Sequence, residues 1–268
     1  MVDVSRFSLE GKVALVTGGS RGIGRATALG FAEAGADVVV ASRKLPDLEK
    51  VADEIRGVGR KALPVAAHVG KMENIHRLVE TVTAEFGKID ILVNNAGTSP
   101  AMATVLDAEE RLWDSVMNLN LKGLYFLSQA VARVMKEHGG GKIINVASMD
   151  GYKPEYFVGP YSIAKAAVIM ATKSMALELA PYNIRVNAIA PGAVSTRILN
   201  SHWFNLPDEE AEAQKTEMAK AVPLQRIADS EEMVGAMIYL ASDASSYTTG
   251  ETILVDGGMT LASPAIVQ

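Results

Sequence analysis

The sequence predicts a doubly wound α/β fold in which one parallel sheet carries helices on both faces. Three observations predict it. Short runs rich in Val, Ile and Ala are contiguous in apolar residues rather than alternating, which is how strands covered on both faces read. Longer segments of helical period separate these runs almost from end to end. No linker, low-complexity tract or repeat of roughly 20–50 residues divides the 268 residues, so the economical reading is one domain over 1–268.

Taken in order, the strands are expected at 12–17 (KVALVT), 37–42 (DVVVAS), 61–66 (KALPVA), 90–95 (DILVNN), 142–147 (KIINVA), 184–190 (IRVNAIA) and 252–256 (TILVD). Helix patterns lie between them near 25–34, 46–57, 72–86, 109–138, 161–180 and 229–241. Seven strands in this rhythm make a seven-stranded parallel sheet joined by short crossovers. One stretch breaks the rhythm. Residues 195–222 hold His202, Trp203, Phe204 and a charged helical run without a strand. Loops of that length in compact domains are usually functional, and a substrate lid is expected here.

Composition narrows the function classes. With 49% hydrophobic and 21% charged residues the chain is globular, and a net charge of −5 argues against a nucleic-acid partner, which usually meets a basic face. The absence of cysteine removes disulfides, thiolate nucleophiles and cysteine-ligated metals. His68, His76, His138 and His202 show no ligand spacing, so no metal is assigned. The start has no signal-like apolar stretch, and no segment approaches the roughly 18 apolar residues of a membrane span. A soluble cytoplasmic protein without a membrane partner is expected.

Thr17-Gly-Gly-Ser-Arg-Gly-Ile-Gly24 follows the first strand and opens a helix. Gly18, Gly22 and Gly24, with Ser20, Arg21 and Ile23 between them, let the backbone approach a pyrophosphate, while free N–H groups at the helix start stabilise its charge. The strand, turn, helix, strand context is what separates a Rossmann-like dinucleotide site from an ordinary glycine turn. At the end of the second strand an acidic residue would hold the ribose 2′-hydroxyl of NAD(H). The sequence there reads Ser42-Arg43-Lys44, and Arg21 adds a further cation. This set suits a 2′-phosphate, so NADP(H) is preferred, with NAD(H) still possible.

Tyr161 and Lys165 stand four apart on a segment of helical period just after Pro160. They therefore share a helix face. An adjacent ammonium is expected to lower the phenol pKa from its usual ~10, fitting Tyr161 to exchange a proton with a carbonyl or alcohol oxygen.

With these motifs in hand, the chain resembles the short-chain dehydrogenase/reductase family, single-domain type, from about Lys12 to Gly258. It carries T-G-x-x-x-G-I-G at 17–24, N-N-A-G at 94–97, Asn120, Ser148, Y-x-x-x-K at 161–165 and P-G at 191–192. The resemblance implies a catalytic set of Asn120, Ser148, Tyr161 and Lys165. Tyr161 would be the acid/base, with Lys165 lowering its pKa and holding the nicotinamide ribose. Ser148 would bind the substrate oxygen, and Asn120 would anchor a proton-relaying water. Asn94, Ala96 and Gly97 would line the cofactor ribose, and Pro191, Gly192, Val194 and Thr196 the carboxamide. One position departs from the family, which commonly has Asp followed by a small apolar residue at the adenine. Here His68-Val69 takes its place, and the usual acceptor is lost. His68 with Gly70 and Lys71 is also similar to a subgroup of NADP-dependent carbonyl reductases.

The implied activity is an NADPH-dependent carbonyl reductase, or alcohol dehydrogenase in reverse, acting on a ketone or secondary alcohol, including the 3-oxoacyl type. An NAD-linked sugar or polyol dehydrogenase is the alternative, and a catalytically silent dinucleotide sensor is another. The substrate is expected over Ser148 and Tyr161, touching Asp150, Tyr156 and Trp203. Near it run Met149, Glu155, Phe157, the 98–102 stretch and the 195–222 insertion. The helix after Tyr161 is apolar around much of its circumference, so burial in a homotetramer or homodimer is expected.

Overall fold

The computed structural model describes residues 3–200 and 206–261. Seven strands form one parallel sheet in the order β3-β2-β1-β4-β5-β6-β7. They are β1 (Val13–Thr17), β2 (Asp37–Ser42), β3 (Ala62–Ala66), β4 (Ile91–Asn94), β5 (Gly141–Val146), β6 (Ile184–Pro191) and β7 (Thr252–Val255). Each lies within a residue of its expected place, because contiguous β-branched runs have few other stable homes than a doubly covered sheet. Pro64 sits in β3, at the sheet edge, where its missing N–H disturbs the ladder least.

The helices alternate with the strands: α1 (Gly22–Glu33), α2 (Leu45–Gly57), α3 (Met72–Phe86), α4 (Glu110–Met117), α5 (Leu124–Glu137), α6 (Gly159–Leu179), α7 (Arg197–Asn200), α8 (Asp208–Ala221) and α9 (Val234–Ala241). The period-two alternation of strand side chains divides the core. Ala14, Val16, Val38, Val40, Ile91 and Val93 meet Phe31, Leu48, Ile55, Met237 and Leu240 of α1, α2 and α9. Val13, Leu15, Val39 and Leu92 face the other way, onto Ile75, Leu78, Leu127, Val131, Met135 and Met175 of α3, α5 and α6.

The expected single helix over 109–138 is broken. Between α4 and α5 the backbone widens into a π-helical turn at Asn118–Gly123. The Asn120 side chain causes it: its amide donates to the Val116 carbonyl four residues back (3.0 Å), the acceptor that an α-helical backbone would use. In the 195–222 stretch, α8 has no buried residue. Trp203, His202 and Phe204 lie outside the described residues. Among the described residues no helix is long and apolar enough to cross a membrane.

Candidate active site

Connections leave β1 and β4 in opposite directions along the sheet, although the two strands are neighbours. A crevice therefore opens beyond their carboxyl ends, the usual ligand position in such sheets. The glycine loop enters this crevice. Gly18 and Gly22 have φ of +65° and +52°, and a Cβ on Gly18 would stand 2.6 Å from Asn95 Nδ2. A Cβ on Gly24 would come closer than 3.0 Å to both Asn95 Nδ2 and the Gly18 carbonyl. Arg21 precedes α1 without a side-chain cap. The first N–H groups of the helix thus keep their donor capacity for a ligand. A loop stripped of side chains, ending on uncapped donors, fits a pyrophosphate.

Thr17 and Asn95 hold this loop. The Thr17 hydroxyl donates to the Val93 carbonyl and accepts the Asn95 and Ala96 N–H groups, each at 3.1 Å, while Asn95 Nδ2 donates to the Thr17 and Gly18 carbonyls at 2.9 and 3.2 Å. Sequence reasoning missed this lock, whose one signal is the N-N pair after β4. Asn94, expected to line the ribose, spends its side chain elsewhere: its amide donates to Ser128 Oγ (2.8 Å) and Asn145 Oδ1 (2.9 Å) inside the core. Both protons of that amide are therefore committed away from a ligand.

At the end of β2, Ser42 accepts the Ala67 N–H through its carbonyl (2.8 Å), and Arg43 and Lys44 are exposed. Arg21 lies 3.9 Å from Asp47, an acid in the first turn of α2 that the sequence reading did not weigh. His68 Nδ1 accepts the Gly70 N–H (3.1 Å), which leaves the proton of a neutral ring on Nε2. Val69 is buried against the π turn, where a Cβ on Gly123 would strike its carbonyl. At the opposite end, the Gly192 N–H donates to the Val255 carbonyl (3.1 Å) after Pro191 closes β6, and Val194 bridges to Ala228. Thr196 then meets the glycine loop: a Cβ on Gly22 would lie 3.4 Å from its methyl.

Tyr161, Lys165, Ser148 and Asn120 converge between these two halves. Lys165 is buried, donates from Nζ to the Val146 carbonyl (2.7 Å) and lies 5.4 Å from the Tyr161 ring centroid. The Ser148 hydroxyl neighbours Tyr161 and accepts the Asp150 N–H at 3.2 Å. Asn120 grips the 97–98 segment, accepting the Thr98 N–H (3.0 Å) and donating to the Thr98 carbonyl (2.8 Å). Gly97 lies between, where a Cβ would stand 2.7 Å from Asn120 Oδ1 and 3.8 Å from Lys165 Nζ. Asn120 therefore shapes the wall beside Lys165, with both amide protons committed and only Oδ1 keeping capacity.

The electrostatics correct one expectation. Burial, then the Asp150 carboxylate, push the Tyr161 hydroxyl above the usual phenol value, opposed by the Ser148 hydrogen bond. Burial pulls Lys165 down to about 8, against Asp150, which holds it up. The spacing of Tyr161 and Lys165 promised a lowered phenol pKa. It did not report that both groups leave water together, which favours the neutral phenol. Burial, then Glu155, raise Asp150 to about 6, while Ser148 and Lys165 pull it down. Of the expected substrate contacts, Asp150 adjoins the pair, whereas Tyr156 is 87% exposed at the rim and Trp203 is outside the described residues. Next to Tyr156, Phe157 holds a φ of 67°, unusual for an aromatic, with its carbonyl accepting the Ala103 N–H at 2.8 Å. Among the described residues no three His, Asp or Glu side chains gather as a metal site.

Comparison with known proteins completes the picture. The profile of a family described as Enoyl-(Acyl carrier protein) reductase matches residues 18–260. Dehydrogenase/reductase SDR family member 4 of Sus scrofa is 38% identical over 253 residues, 94% of this chain and 88% of that protein. The 2-dehydro-3-deoxy-D-gluconate 5-dehydrogenase of Escherichia coli is 42% identical over 256 residues, 95% of this chain and 98% of that one. A gluconate 5-dehydrogenase from Burkholderia cenocepacia, solved with NADP and tartrate, superposes with a TM-score of 0.89 at 37% identity, covering 97% of this chain and 99% of that one.

Proposed function

The chain belongs to the short-chain dehydrogenase/reductase family of nicotinamide-dependent enzymes acting on CH–OH and C=O groups, and from that premise we propose an NADP(H)-linked ketone reductase, reversible as a secondary alcohol dehydrogenase. One observation carries the catalytic assignment: Tyr161, Ser148 and Lys165 converge at the crevice into which the glycine loop opens. When bound, the nicotinamide supplies or accepts the hydride. Everything else falls to the protein.

In reduction, Ser148 holds the substrate oxygen and Tyr161 delivers its proton there, the raised phenol value keeping that proton in place beforehand. Lys165, cationic below about 8, stabilises the phenolate left behind. Asn120 fixes the backbone at Thr98 and keeps Oδ1 for a water toward Lys165. Gly18, Ser20, Gly22, Ile23 and Gly24 hold the pyrophosphate. Ala96, Gly97 and the Asn94 backbone border the ribose, Pro191, Gly192, Val194 and Thr196 the carboxamide, and His68 and Val69 the adenine. The described residues form one domain, with α8, in the inserted stretch before β7, on the substrate side. Met170 and Leu177, 64% and 80% exposed on α6, beside a groove between α5 and α6, support a homotetramer or homodimer.

Arg21, Ser42, Arg43 and Lys44 would take the 2′-phosphate. Asp47, near Arg21, is the observation that favours an NAD-linked polyol dehydrogenase instead. Fluorescence titration separates the two. NADPH is expected to bind at least about tenfold tighter than NADH, and Arg43→Ala to weaken NADPH about tenfold with little change for NADH, since one charge-assisted pair is lost. NADH binding as tightly as NADPH would overturn the assignment.

A further inference from the structure

Asp150 adjoins the proton-transfer pair, where the Ser148 hydroxyl and the Lys165 ammonium both act on its carboxyl. No protein donor reaches its buried Oδ1. A buried acceptor without a partner calls for an explanation. The backbone of the Met149–Gly151 turn that carries the side chain is held close to the catalytic residues. The Asp150 N–H donates to Ser148 Oγ (3.2 Å), and a Cβ on Gly151 would stand 2.9 Å from the Lys165 main chain. Glu155 adds a second negative charge felt by Asp150. Among the described residues neither acid forms an ion pair: the pairs present all involve other carboxylates. The nearby ammonium of Lys165 is engaged by the Val146 carbonyl.

We propose that Asp150, backed by Glu155, sets substrate specificity: it accepts a hydrogen bond from a hydroxyl beside the reacting carbon and turns away substrates with a carboxylate there. The substrate class is then a vicinal diol or its α-hydroxyketone rather than a short keto acid whose carboxylate falls beside the reacting carbon. The geometry supports this because Ser148 fixes both the reacting oxygen and the Asp150 backbone, so the acid stands at a fixed offset from the carbonyl. A hydroxyl donor arriving there would satisfy the orphaned acceptor. A carboxylate would add a third negative charge in a partly desolvated site. This inference rests on the catalytic reading of Ser148 and Tyr161 given above.

The test compares NADPH-dependent reduction of three four-carbon ketones: 3-hydroxybutan-2-one, butan-2-one and acetoacetate. For the wild type, kcat/KM is expected to be highest for the hydroxyketone, about tenfold or more above butanone, as a hydrogen bond to a charged group provides, and lowest for acetoacetate. Asp150→Ala is expected to bring the hydroxyketone and butanone within about threefold of each other and to raise acetoacetate relative to both. Glu155→Gln is expected to raise acetoacetate alone, reading the charge without the hydrogen bond. Should Asp150→Ala fail to fold by its circular dichroism melt, Asp150→Asn keeps the shape and is expected to raise the relative rate of acetoacetate. Wild-type turnover without preference for the hydroxyketone, or unchanged ratios in the variants, overturns the role of Asp150 and leaves the catalytic reading standing. No turnover of any of the three overturns the substrate assignment, and a wider ketone panel with Tyr161→Phe as the blank then decides the catalytic reading separately.

Discussion

Tyr161→Phe is expected to lower kcat/KM for ketone reduction by about a thousandfold, the range of a positioned general acid, while NADPH affinity stays within about twofold. The substitution removes one oxygen and keeps the ring. The lost hydroxyl neighbours Ser148, and burial, then Asp150, push it above the usual phenol value. In the proposed mechanism that hydroxyl gives the proton for reduction, and phenylalanine has none to give. Cofactor binding is expected to survive because the glycine loop is held by Thr17 and Asn95, which do not involve Tyr161. Steady-state kinetics with a fluorescence titration on the same preparation check both halves. A variant retaining a tenth of the activity would assign the proton transfer to another group.

Gly24→Ala is expected to weaken dinucleotide binding by about a hundredfold and to destabilise the fold by about 1–3 kcal/mol, the usual cost of overpacking. A Cβ there would press on the Gly18 carbonyl and the Asn95 amide, two atoms of the lock that shapes the loop. A backbone carbonyl cannot rotate aside as a flexible side chain does. The loop itself must move, and with it the N–H groups meant for a pyrophosphate. Gly57, the last residue of α2, is the control, since a Cβ there meets nothing within 4 Å. Gly57→Ala is expected to keep full cofactor affinity and to stabilise by about 0.5 kcal/mol through the unfolded chain. Thermal melts and calorimetric titration of the two variants test the pair, and equal behaviour would remove the close-approach argument.

Local sequence carried the sheet because each strand advertises itself. DVVVAS has little choice but a doubly covered strand, and β2 spans those six residues. MENIHRLVETVTAEF carries its period to the following glycine, and α3 ends there, at Gly87 with a φ of +75°. The π turn was illegible because its Asn120 side chain, besides bonding back to Val116, is held from outside the helix. Asn120 pairs with Thr98, 22 residues earlier, and no periodicity reports such a contact. The site divides in the same way. The spacing of Tyr161 and Lys165 was enough to place them on one helix face, since four residues return to the same side. Their electrostatics were not legible, because the depth of burial that raises the phenol and lowers the ammonium depends on strands β4 to β6 and the 97–98 segment. Asn94 and Asn95 are adjacent, and only pairing across β4 and β5 decides that one enters the core ladder while the other braces the glycine loop.

The central claim is that this chain moves a hydride between a nicotinamide dinucleotide and a ketone while Tyr161 exchanges the accompanying proton. The most direct measurement follows NADPH absorbance in the wild-type protein across a panel of neutral ketones and hydroxyketones, with Tyr161→Phe as the blank. The account predicts stoichiometric NADPH oxidation with at least one ketone, absent in the blank. Tight dinucleotide binding without oxidation by any ketone would contradict it and leave a protein that senses the cofactor without using it.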